Sequence, residues 1–185
     1  MNKGLVSGLV LLALGLVCGI LLATVNHFTA PVIEAQEKAM KYESLNEMLT
    51  DFDTRQTDDF DITETTLSGH VDTSYWLYDK TTNDLDYVVY SVSAAGYQSD
   101  IVMLIAVDAD MIVKGYTIVS EGETAGVVDY IYTIDYKMVG RRADNVVSFD
   151  DISSVTTAHF SLTAVLNCFQ YVGEQADIDL GGESS

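Results

Sequence analysis

Cysteine is nearly absent from this 185-residue chain, with only Cys18 and Cys168 far apart in the sequence. No disulfide framework or metal cage can be built from such a pair, and each reads as a small buried hydrophobe. Cys18 is not a lipoprotein attachment point either, because Leu16-Val17 before it lacks the small residue that processing requires. Basic residues are scarce as well: nine Lys and Arg stand against 28 Asp and Glu, for a formal net charge of −19. A chain this acidic is not drawn to nucleic-acid phosphates, so nucleic acid is excluded as a partner. The acids are scattered rather than clustered, as on a solvated surface. The three histidines, His27, His70 and His159, lack ligand spacing. Asp108 and Asp110 lack the glycine and distal glutamate of an EF-hand. There is no glycine-rich phosphate loop and no nucleophile–histidine pairing.

What the chain does have is a long apolar run. Residues 4–25 carry no charge and are dominated by Leu, Val, Ile, Ala and Gly. At ~1.5 Å per helical residue the run crosses a ~30 Å hydrocarbon core, and residues 1–29 are read as a transmembrane anchor in contact with lipid. A cleaved secretory signal is the competing reading, with a shorter apolar region and an Ala-x-Ala-like site. Pro31 after Ala30 and Phe28 before it argue against cleavage. Lys3 favours an inside N-terminus, whereas Lys38 and Lys41 weaken that bias, and the basic residues leave the orientation open.

Pro31 suits the first turn of a helix, so a juxtamembrane helix is expected over 30–50. Its stripe would be Val32, Ala35, Ala39, Tyr42 and Leu49. Residues 51–74, rich in Asp and Thr, read as an irregular connection with room for one short strand. From Tyr75 the pattern turns to β: 75–78, then the turn-like Thr82-Asn83-Asp84, then the alternating 87–93. Runs at 101–107 and 111–119 around Asp108-Ala109-Asp110 predict a hairpin. Val146-Val147-Ser148-Phe149 predicts a last short strand, and Leu162, Val165, Leu166 and Phe169 form one face of a helix. The fold class is α+β: an N-terminal transmembrane helix, then a small antiparallel-sheet domain with flanking helices over 75–175. Residues 176–185 form an acidic tail expected to be disordered.

Before the last helix stands Asp150-Asp151-Ile152-Ser153-Ser154-Val155-Thr156-Thr157. Backbone N–H groups at a helix start have no intrahelical partner, and the positive end of the helix dipole lies there. The place suits a phosphate, and here it is lined with hydroxyls. The bland alternative is a helix N-cap worth ~1 kcal/mol, with no ligand.

The spacing Asp-x-x-Ser-x-x-Thr resembles the flavin-attachment motif, Asp-x-x-Ser-Gly-Ala-Thr, of the FMN-binding domain family. That family includes the G subunit of the Rnf electron-transport complex and the C subunit of the sodium-translocating NADH:quinone reductase. Ser154 and Val155 stand where the family has Gly and Ala. Asn26-His27-Phe28-Thr29-Ala30-Pro31-Val32-Ile33 is similar to the run that follows the anchor in Rnf G-type subunits. Ala95-Gly96-Tyr97 is similar to the family's Gly-Tyr turn. Gly122-Glu123-Thr124-Ala125-Gly126 resembles its Glu-Thr-Pro-Gly loop, which borders the flavin, with Ala125 in place of Pro.

The resemblance implies FMN joined through its phosphate to Thr156, with Ser153 and Thr157 donating to the phosphoester and Glu123 and Thr124 on the polar side of the ring. It also implies a flavin transferase, partner subunits of a membrane electron-transport complex, and a domain outside the cytoplasmic membrane. The chain would be a single-pass electron-transfer subunit of an oxidoreductase complex rather than a stand-alone enzyme. Two other readings stand beside it: a cofactor-free structural or assembly subunit with a degenerate flavin motif, and an anchored acidic domain that binds a protein partner or cations.

Overall fold

A computed structural model of the chain describes residues 3–120, 131–152 and 159–181. It divides into two compact units, Met1–Met40 and Lys41–Ser185. Helix α1, Lys3–Phe52, runs through both. Within it, Leu11–Ile33 is a 23-residue apolar stretch, none of it buried. That length spans about 34 Å, enough to cross a membrane, and the helix bonds its own backbone groups except the carbonyl four residues before Pro31. The helix does not begin at Pro31, as expected, but passes through it. Proline withholds one N–H, a cost that the flanking helical turns on both sides absorb.

Lys41–Ser185 is built on a five-stranded antiparallel meander in the order β1-β2-β3-β4-β5. The strands are β1 Phe60–Thr66, β2 Val71–Asp79, β3 Leu85–Ala95, β4 Asp100–Val107 and β5 Val113–Ser120. Alternation along the strands sends the apolar residues to two faces. One face, with Tyr75, Leu77, Val89, Leu104 and Ala106, is covered by Leu45, Met48 and Leu49 near the end of α1. These three recur at helical spacing, and each contributes ~1.5–3 kcal/mol by leaving water. The opposite face, with Val88, Tyr90, Val92, Met103 and Ile105, is covered by helix α3, His159–Leu180. Leu162, Val165, Phe169, Val172 and Ala176 supply its apolar side. A short helix α2, Phe149–Ile152, precedes it.

Two glycines set how closely these layers approach. A Cβ on Gly115 of β5 would lie 2.5 Å from the Phe52 ring, and one on Gly173 of α3 would run into the Ala143 carbonyl oxygen. The end of α1 is also tied down by charge. Arg55 donates to Asp53 at 2.6 Å, to Asp79 at 2.8 Å and to Asp86 at 2.6 Å. The Tyr87 hydroxyl donates to Asp53 at 2.9 Å, and the guanidinium lies 4.6 Å from the centre of the Phe60 ring.

Several elements differ from the sequence expectation. The segment 51–74 carries all of β1 and the start of β2. β1 is polar because it is an edge strand, with Phe60 its one buried side chain, and backbone pairing to β2 over seven residues holds it. Residues 146–148 form no strand; Val147 is buried as loop packing, and Phe149 opens α2. α3 runs on to Leu180, because Ala176 is still fully buried against the sheet. The 101–119 hairpin forms as expected, with Asp108 Oδ1 accepting the N–H groups of Asp110 and Ile112. Met111 takes the left-handed conformation there, at φ 63°.

Candidate functional site

Five residues carry the site expected from the sequence: Thr156, Ser153, Thr157, Glu123 and Thr124. All of them lie outside the described residues. The site is therefore built from what borders them.

The approach to 153–158 is α2. The Asp151 N–H donates to Ser148 O at 3.0 Å, closing its single turn. Lys137 Nζ donates to Asp151 O at 2.8 Å, which holds an ammonium beside the residues that lead to Ser153. Lys137 itself has φ 53°, and its N–H is accepted by Asp135 Oδ1 at 2.8 Å, so local turn chemistry holds its backbone.

The departure from 153–158 is the first turn of α3. The His159 ring meets Phe149 edge to face, with centroids 4.4 Å apart. This contact joins the two sides of the Thr156 segment. Phe160 packs on His159 at 6.0 Å and on Tyr97 at 6.1 Å, tilted by 38°. Tyr97 stands in the turn between β3 and β4, where the Gly96 N–H donates to Ser99 O at 2.9 Å. Tyr97 and Phe160 are 68% and 67% exposed. Ser161 is buried, yet its hydroxyl has no hydrogen-bond partner among the described residues. Leaving such a group unpaired costs ~1–3 kcal/mol.

These features fit a flavin nucleotide. A helix start and an ammonium suit a phosphoester, and exposed aromatic rings suit a flat heterocycle. FMN, where bound, would supply the electron chemistry, and the protein its position and surroundings.

Other candidates hold structural posts. Cys168 is buried under the sheet, and burial pushes its thiol up to about 12, so it is inert in the folded protein. The Asp108 carboxylate is committed to its turn and lies 3.6 Å from Lys114. Among the described residues no cluster of His, Cys, Asp and Glu is arranged to hold a metal ion.

Sequence reasoning did not assign Lys137, Phe149 or Phe160 to the site, and it noted Tyr97 only as part of a turn. Phe160 carried a readable signal, since it falls off the apolar stripe that begins at Leu162. The position of Lys137 depends on a chain path that has no periodicity.

Comparison with known families agrees with this geometry. Residues 2–48 match the RnfG N-terminal region, and residues 96–173 match the FMN-binding domain. No curated protein matches the chain significantly. The FMN-binding match begins next to Tyr97 and contains α2, the Thr156 segment and most of α3. With its apolar N-terminal helix and five-stranded antiparallel sheet, the chain is an RnfG-like protein that contains an FMN-binding domain.

Proposed function

We propose that this protein is a membrane-anchored, extracytoplasmic electron-transfer subunit that carries FMN as a phosphoester on Thr156. The observation that carries the reading is the place of Thr156 in the sequence: inside the FMN-binding match, between α2 and α3, five residues after Asp151, whose carbonyl oxygen accepts from the Lys137 ammonium. A hydroxyl on a short segment before a helix is open to a transferase, and the helix start favours the charge that the ester retains. Ser153 and Thr157 donate hydrogen bonds to the phosphate oxygens. Glu123 and Thr124 border the ring on its polar side and bias its electronics.

The domain plan follows from that role. Residues 1–29 anchor the chain in lipid, 30–50 carry it away from the bilayer, and the flavin domain lies beyond. Its partners are the other membrane subunits of an RnfG-type complex and, during maturation, a flavin transferase. The chain has no turnover of its own.

The test is the intact mass of the protein co-expressed with a flavin transferase, beside Thr156→Ala. An added mass equal to bound FMN, lost in the variant, is the expected result. An unmodified chain beside a working positive control would favour the second reading, a cofactor-free assembly subunit. Ser154 and Val155 support that alternative, since a β-branched neighbour crowds the acceptor and Ser lacks the backbone freedom of Gly.

A further inference from the structure

Tyr97 and Phe160 come from distant parts of the chain, yet their rings meet in the open. Each is about two-thirds exposed, and their centroids are 6.1 Å apart. A single exposed apolar side chain needs no explanation, but a joint aromatic surface calls for an occupant. Phe160 does not belong to the core of α3, which starts at Leu162 on another face of the helix. Instead it is propped from behind. Phe149 packs on His159 and His159 on Phe160, each edge to face, with interplanar angles of 69° and 76°. That row of rings holds Phe160 outward against Tyr97.

We infer that Tyr97 and Phe160 form the aromatic wall on which the flavin ring docks. The inference rests on the proposed attachment at Thr156. Phe160 lies four residues beyond Thr156, so their Cα atoms are no more than ~14 Å apart. The ribityl phosphate chain places the ring several bonds from the attachment point, within reach of this wall. The wall positions the ring and excludes water from one face; it takes no part in the electron transfer itself. Loss of one aromatic contact worth ~0.5–1.5 kcal/mol would lower the docked-to-free ratio of the ring by roughly 2- to 10-fold.

The experiment uses the full chain in detergent, loaded with FMN by co-expression with a transferase, and reads time-resolved flavin fluorescence and anisotropy. A phenol in contact with the excited ring quenches its emission, and a phenyl group does so far less. Tyr97→Phe should therefore lengthen the flavin lifetime and leave the anisotropy unchanged. Phe160→Ala should lower the anisotropy in line with the 2- to 10-fold loss of docked ring estimated above. Ile178→Ala, an exposed apolar site near the other end of α3, should match the parent protein in both. Circular dichroism of each variant confirms that it is folded. A loaded protein whose lifetime and anisotropy are unmoved in both Tyr97→Phe and Phe160→Ala overturns the wall and leaves attachment at Thr156 standing. A chain that takes up no flavin overturns both.

Discussion

Replacing Gly173 with alanine sets two effects of opposite sign against each other. In the interior of a helix, glycine costs ~1 kcal/mol relative to alanine, so the substitution should stabilise α3 on propensity alone. Gly173, however, faces the loop that precedes α2. A Cβ there would lie 2.9 Å from the Ala143 carbonyl carbon and 3.1 Å from Asp144 Cα, and closer still to the Ala143 oxygen. All three are backbone atoms, which cannot rotate away as a side-chain tip can. Relief requires α3 to lift from the loop, loosening Val172 and Ala176 in the core. Overpacking costs ~1–3 kcal/mol, and against backbone atoms that cannot rotate away the upper part of that range, ~2–3 kcal/mol, applies; set against a gain of ~1 kcal/mol it leaves a net loss of ~1–2 kcal/mol. For a domain of this size each kcal/mol moves Tm by about 2–4 °C, so the expected fall is about 2–8 °C. Trp76, the single tryptophan, lies on β2 and reports unfolding of the sheet by its fluorescence. A midpoint at or above that of the parent protein would refute the close approach of α3 to this loop.

Acid should test the Arg55 network. Hydrogen bonds from Arg55 hold the Asp53 carboxyl down at about 2, below its ordinary 3.8. A depressed carboxylate adds stability above its unfolded pKa and loses it as pH falls through the folded value. About 2 kcal/mol should therefore disappear between about pH 4 and pH 2, and Arg55→Met should flatten that part of an unfolding-versus-pH series. Tyr90→Phe removes the 3.0 Å hydrogen bond to Asp179 Oδ2 and should cost ~1–2 kcal/mol in urea denaturation. Cys168 should resist a maleimide reagent in native buffer and react fully in urea; rapid native labelling would contradict its burial.

Much of the fold was legible because it rests on periodicity. The charge-free run at 4–25, the alternation at 87–93 and the stripe from Leu162 to Phe169 each show their buried side in one dimension. β1 was obscured because an edge strand needs backbone partners more than apolar side chains, and Phe60-Asp61-Ile62-Thr63-Glu64 shows little of the first. Residues 146–149 misled in the opposite way: their apolar side chains pack against the core from a loop and a short helix instead of pairing in the sheet. At the candidate site, the motif order pointed to the segment before α3. The rings around it were hidden, since Tyr97 and Phe160 meet only once the β3–β4 turn and the start of α3 are brought to the same place.

The order of the layers has a consequence for synthesis. Ribosomal output delivers α1 and then the five strands in the order in which they pair, so the sheet can assemble from local contacts as it emerges. The helix that seals its larger apolar face comes last. Until Ala176 has left the ribosome, Val88, Tyr90, Val92, Met103 and Ile105 have no complete cover, and the nascent domain presents an oily sheet to its surroundings. A chain truncated even within the final turns of α3 should therefore be a substrate for quality-control proteases.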